Sequence, residues 1–146
     1  MNTNTIIVIL GEPNSTFSEI LFKYFKSKIF KRGKKKIVLI GSYELLLKQM
    51  NKLNYNFQLK KISKINKTLT KLNIIDVKYR FKNAFSEISE SSNKYIENCF
   101  NLGVTLMKKS KALALINGPI SKKHFLKKKF PGITEYVATK TNSKEP

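Results

Sequence analysis

Three short runs dominated by apolar residues, Thr5 to Leu10 (TIIVIL), Lys36 to Ile40 (KIVLI) and Ala112 to Ile116, punctuate the chain without polar alternation. Such runs predict strands buried on both faces of a parallel sheet. Between them the apolar positions switch to helical spacing. From about Phe17 to Phe30, the residues Ile20, Leu21, Tyr24, Phe25 and Phe30 fall on or near one face. Lys26, Lys28 and Lys31 crowd its last turns, where cations suit the negative end of the dipole, and Gly33 follows as the stop. Ser42 predicts an N-cap for a helix carrying Leu45, Leu46, Leu47, Met50 and Leu53. From about Ser86 to Ser110, helical spacing puts Ile96, Cys99, Phe100, Gly103, Leu106 and Met107 on one face. The stretch 54–85 is less patterned, and its two candidate strands are Phe57 to Ile62 and Leu72 to Val77. Strands alternating with helices through short joints predict an α/β fold with a mainly parallel sheet.

Length and composition narrow this to one domain. At 146 residues the chain is the size at which a single core closes, and 41% apolar content with ten Phe and six Tyr can fill that core. Ile6 to Leu10 is too short for a signal-peptide core and has no basic residues before it, and no run approaches 18 apolar residues, so a soluble, untargeted chain is expected. The lone Cys99 has no partner for an internal disulfide and predicts a reducing compartment, the cytoplasm.

Charge changes the picture less than its size suggests. A net +20 would attract polyanions. Yet Arg32 and Arg80 are the only arginines among 29 basic residues, and arginine is the side chain preferred for bidentate phosphate and guanine contacts. Lysine is enriched together with Ile and Asn along the whole length, which reads as bulk composition and solvated surface rather than a nucleic-acid patch. His124, beside Lys122 and Lys123, reads as a surface residue.

In open parallel sheets ligands bind beyond the carboxyl ends of strands, which directs attention to the segments after the first and last runs. The first is Gly11-Glu12-Pro13-Asn14-Ser15-Thr16-Phe17-Ser18-Glu19; the second is Asn117 to Lys122, followed by Phe130-Pro131-Gly132-Ile133-Thr134-Glu135. Three of the four prolines and three of the six glycines lie there, and turn formation alone accounts for that much. Asn14, Ser15 or Thr16 is expected to cap the following helix. Glu12, Asp76, Glu90 and Glu135 are carboxylates near the expected edge, but their spacing pairs no two of them. No Gly-x-Gly-x-x-Gly, Walker loop, Cys/His cluster or Ser-His-Asp set is present.

The order of the segments resembles the amino-terminal half of the 4-hydroxythreonine-4-phosphate dehydrogenase family of vitamin B6 biosynthesis. Gly11-Glu12-Pro13 with Glu19 matches its opening loop, Ile75-Asp76 a strand end, and Ser89-Glu90-Ser91 the approach to a long helix. Gly118-Pro119-Ile120-Ser121-Lys122 matches its Gly/Ala-Pro-Ile-x-Lys segment, and Pro131-Gly132-Ile133-Thr134-Glu135 its Pro-Gly-His-Thr-Glu segment. The resemblance implies a three-layer α/β/α fold of the isocitrate and isopropylmalate dehydrogenase type. It also implies a homodimer acting on a phosphorylated substrate with NAD or NADP and a divalent metal, zinc, magnesium or cobalt. The implied reaction oxidises the hydroxyl of 4-hydroxythreonine 4-phosphate and releases CO2, giving 3-amino-2-oxopropyl phosphate.

Residue by residue, the resemblance makes Lys122 and Thr134 substrate contacts, with Ile133 in the place of the family's histidine. Thr134 also fits as the cap of a helix beginning at Glu135. An aliphatic side chain cannot replace the hydrogen bond of a histidine, and losing one bond to a charged group costs about 1.5–3 kcal/mol, more than tenfold in affinity. The opening loop lacks the family's internal glycines, which leaves any positive φ to Asn14 or Ser15. Residues 1–146 therefore read as the amino-terminal part of such an enzyme. The family's metal-binding histidines, its NAD contacts and its phosphate-anchoring residues have no counterpart in this sequence, and the chain alone is expected to be inactive. The alternatives are a basic nucleic-acid-binding module and a non-catalytic dimerisation partner of a full-length paralogue. The reading requires the first and last turns to form opposite lips of one anion-accepting crevice.

Overall fold

The structure, a computed structural model, describes residues 4–109 and 111–142. Five parallel strands form its sheet: β1 (Thr5–Ile9), β2 (Lys36–Gly41), β3 (Lys60–Ile62), β4 (Leu72–Asp76) and β5 (Ala114–Asn117), in the order β3-β4-β2-β1-β5. The helices are α1 (Phe17–Lys26), α2 (Lys28–Arg32), α3 (Tyr43–Lys52), α4 (Asn93–Lys108) and α5 (Ile133–Thr141), with a 3-10 turn at Glu90–Ser92 and a π-helical turn at Lys122–Leu126.

Side chains alternate across the sheet, so an unbroken apolar run feeds two cores. On one face Val8, Leu39 and Ile74 meet Leu21, Phe22 and Phe25 of α1 and Leu46 and Met50 of α3. On the other face Ile7, Ile9, Val38 and Ile40 meet Ile96, Cys99 and Phe100 of α4 and Tyr136 of α5. The result is the mainly parallel α/β sheet anticipated from the apolar runs, in the three-layer α/β/α arrangement that the family resemblance implies.

The departures have local causes. The helix expected over Phe17 to Phe30 breaks at Ser27, which is extended and accepts a hydrogen bond from the Phe30 N–H to cap α2. The face of α1 is also rotated from the expected one: Ser18, Leu21, Phe22 and Phe25 are buried, while Ile20 and Tyr24 are 59% and 42% exposed. Six apolar residues crowd these turns, and the Phe22 ring takes the core position against Tyr55 and Phe57. That same aromatic packing draws Phe57 out of the expected strand, leaving only three residues in β3. The last long helix starts at Asn93, not Ser86, and its expected end at Ser110 lies outside the described residues.

β3 and β4 are parallel although only residues 63–71 join them, without a helix. Asn73 supports this tight return. It is fully buried, its amide donates to the Ile37 and Thr70 carbonyls, and its carbonyl accepts from the Thr70 N–H and hydroxyl. Replacing it removes four bonds and strands backbone groups. Asn73→Ala is expected to lower the unfolding free energy by about 1–3 kcal/mol or more in urea denaturation, and a loss of a few tenths would mean that water replaces the amide.

Candidate functional site

The direction of chain progression reverses at β1, because the chain first builds outward through β2 and then returns to add β5 on the other side. Such a switch point is where open α/β sheets hold ligands. The two turns expected to form lips do meet here. Gly118 N–H donates to the Ile9 carbonyl at 2.7 Å, and Glu12 N–H donates to the Pro119 carbonyl at 2.8 Å. Their contact is backbone to backbone. Gly11 carries the positive φ, at 72°, and a Cβ there would fall on the Pro119 carbonyl oxygen. Asn14 and Ser15 are thereby relieved of a conformation they bear poorly.

Glu12 is 3% exposed, and its carboxylate accepts from Ser92 Oγ at 2.9 Å and from the Asn14 N–H at 3.2 Å. It ties the first loop to the entry of α4. Asn14 does not cap α1; its side chain accepts from the Ser86 N–H and donates to the Glu87 carbonyl. Thr16 makes no side-chain cap either, and Ser15 Oγ takes the Phe17 N–H at 3.3 Å. Beneath the loop, Gln49 donates to the Pro13 carbonyl, and Ser18, Ser42, Glu12 and Tyr95 line a cavity of about 10 Å3, the size of one water.

The carboxylates of the edge are committed separately. Asp76 accepts from Lys61 at 2.7 Å, from Lys78 at 3.3 Å and from the Tyr43 N–H at the start of α3. Burial alone would push its pKa up, but these bonds prevail and hold it below the ordinary range. Glu90 pairs with Lys127 at 2.7 Å, and Glu135 keeps one buried oxygen without a partner among the described residues. Among the described residues Asp76, Glu90 and Glu135 thus have separate surroundings.

Lys122 opens the π-helical turn and is exposed, as is Thr134 in the first turn of α5. Thr134 is not the cap, because the helix begins at Ile133 with Gly132 in the cap position. Ile133 is half-buried and packs on the core that contains Phe100 and Tyr136, so its side chain is spent on hydrocarbon contacts. No hydrogen bond joins Lys122 to Thr134 among the described residues. His124 is half-buried rather than free on the surface: its N–H donates to Ser121 Oγ and its carbonyl accepts from Asn93. Glu12, Asn14 and Ser92 were not legible as a linked set, since nothing local marks a serine 80 positions away as a partner.

These residues do not fit a divalent metal. Among the described residues no three His, Cys, Asp or Glu side chains are grouped to hold one, and the buried Cys99 thiol is pushed up to about 12 by desolvation. A dinucleotide fares no better, because the space beside the strand-end Gly11 is filled by the Gly118-Pro119 backbone.

A family model described as pyridoxal phosphate biosynthetic protein PdxA matches residues 33–146. No curated protein matches the chain in sequence. Among solved structures, a 4-hydroxythreonine-4-phosphate dehydrogenase from Burkholderia phymatum superposes with a TM-score of 0.84 at 18% identity, over 99% of this chain and 46% of its own. The same enzyme from Klebsiella pneumoniae gives 0.76 at 20% identity, over 96% and 45%. A terephthalate 1,2-cis-dihydrodiol dehydrogenase from Burkholderia xenovorans gives 0.69 at 17% identity, over 95% and 41%. The chain thus spans less than half the length of each, and at these identities the likeness is one of fold.

The pairing of Asp76 sets an acid dependence. Its folded-state pKa is depressed, so the stability it contributes is present above its unfolded pKa, about 4, and is lost as pH falls through the folded value. Asp76→Asn is expected to be less stable than the parent at pH 6, and the gap to close as acidification carries the pH through the lowered folded-state value, in urea titrations. Parallel curves across that range would show that the carboxylate contributes nothing.

Proposed function

Because the chain belongs to the pyridoxal phosphate biosynthetic protein PdxA family, we propose that residues 1–146 are the amino-terminal part of a 4-hydroxythreonine-4-phosphate dehydrogenase. The whole enzyme would be a homodimer that oxidises and decarboxylates 4-hydroxythreonine 4-phosphate with NAD or NADP. The family match over residues 33–146 carries this reading. The motifs at Gly11, Asp76, Ser89, Gly118 and Pro131, in family order, support it.

The nicotinamide accepts the hydride and the metal polarises the reacting oxygen in such chemistry. Among the described residues no three His, Cys, Asp or Glu side chains are grouped to hold a metal, and this reading assigns both the metal and the nicotinamide to the portion of the fold that the chain does not span. What this chain contributes is positioning. Lys122 supplies a fixed positive charge for the phosphate or carboxylate, and Thr134 a hydroxyl that can donate and accept. Both side chains are exposed on segments beyond the carboxyl end of β5. Ile133 offers packing where the family has a polar ring, which weakens substrate capture on this side. No helix among the described residues is long and apolar enough to cross a membrane, and a cytoplasmic location is part of this proposal.

Two measurements test the reading. The purified chain with substrate, NAD and magnesium or zinc is expected to give no sustained NADH signal, and steady production would overturn the division of labour proposed here. In NMR titration with 4-hydroxythreonine 4-phosphate, the amides of Lys122 and Thr134 are expected to shift, and Lys122→Ala to weaken the response by roughly tenfold. Shifts confined to other segments would remove both residues from the site.

A further inference from the structure

Beyond β4 the chain runs through an extended stretch whose residues Tyr79, Arg80, Phe81 and Lys82, with Ser86, Glu87, Ser89, Ser91 and Asn14 of the first loop, line a groove of about 620 Å3. Its volume lies within the range of small-molecule sites, roughly 300–1,000 Å3. None of its lining comes from the Lys122 or Thr134 segments. It lies beyond the carboxyl ends of β1 and β4, the edge where α/β sheets receive ligands.

The lining chemistry is selective. Arg80 is one of only two arginines in the chain. Among the described residues no carboxylate lies within ion-pair distance of Arg80 or Lys82, although Lys23, Lys61, Lys78, Lys94, Lys127 and Lys140 all have such partners. Ser89 Oγ and Ser91 Oγ share one hydrogen bond at 2.8 Å, so one of the two hydroxyl hydrogens remains to be donated. The Ser89-Glu90-Ser91 segment leads into α4, a 16-residue helix whose positive dipole end favours an anion nearby. The Tyr79 and Phe81 rings are 11° from parallel at 6.4 Å between centroids, and Tyr79 is steadied from behind by Tyr95 at 4.8 Å. Glu87 is the single acid in the lining.

We propose that this groove is a second binding site, separate from the Lys122 and Thr134 segment, for an aromatic phosphate monoester. Arg80 and Lys82 take the phosphate, a serine hydroxyl donates to it, and Tyr79 and Phe81 carry the ring. A planar guanidinium offers the bidentate fork that the surrounding lysines lack.

Phenyl phosphate and inorganic phosphate, titrated calorimetrically into the 146-residue chain, test this directly. The ester is expected to bind at least about fivefold more tightly than phosphate, through ring stacking. Arg80→Ala is expected to weaken it by about tenfold or more. Arg32→Ala removes the same charge from the exposed end of α2, at the amino edge of the sheet, and is expected to change affinity less than about twofold. Glu87→Gln should tighten binding, and Lys122→Ala should weaken it less than Arg80→Ala does. No saturable binding would overturn the proposal. Equal losses in the Arg80 and Arg32 variants would reduce the site to the bulk field of a +20 chain, and equal losses in the Arg80 and Lys122 variants would merge the two sites into one.

Discussion

A carboxylate without a cation anchors the working edge of this molecule. Glu12 is buried, and among the described residues it is held by a serine hydroxyl and a backbone N–H rather than by any of the chain's many lysines. Leaving either oxygen unmatched in so dry a place would be costly, since breaking a hydrogen bond to a buried charge exposes its full desolvation penalty. Ser92 and the first loop are therefore fixed relative to one another. The entry of α4 and the Gly11 turn follow from that link, and the Glu12 N–H passes it on to Pro119.

Among the described residues six lysines pair with other acids. Lys61 and Lys78 share Asp76, Lys94 and Lys140 share Glu97, and Lys127 takes Glu90. Most of these pairs are solvated and contribute about 0–1 kcal/mol each. Asp76 differs because its side chain is 7% exposed and also receives the first N–H of α3. It joins the end of one strand to the start of the helix after its neighbour, a connection across β2 and β4 that their backbone ladder alone does not supply.

The elements that were legible in the sequence share one property: their signal is local. Thr5 to Ile9 and Lys36 to Gly41 announce themselves because a parallel strand covered on both faces needs no polar alternation. Ser42 caps its helix as its type suggests, accepting from the Leu45 N–H. Elements decided by distant partners were misjudged. Ile20 has the hydropathy of a core residue, but Phe22 wins the position through rings at 55 and 57. The residues before Asn93 have helical spacing, yet Ser86 and Glu87 are held by Asn14, some 70 positions earlier. At the edge, the Gly11 and Gly118 turns could be found from glycine and proline placement, but their mutual closure depends on strand order, which no local pattern encodes. Thr134 looked like a cap because threonine favours that position; Gly132 holds it instead, in extended backbone.

Among the described residues β5 bounds the sheet, paired along one side to β1, with Ile116 49% exposed and Leu113, just before the strand, 39%. A border strand with free backbone groups and greasy side chains invites neighbouring molecules to stack against it. The surplus of +20 counters this by keeping copies apart. The two influences respond oppositely to electrolyte: the repulsive range shrinks from about 30 Å at 0.01 M to about 3 Å at 1 M, whereas apolar attachment is not screened. Colloidal behaviour thus becomes a readout of that border, with dilute buffer keeping the material dispersed and brine driving it to cluster.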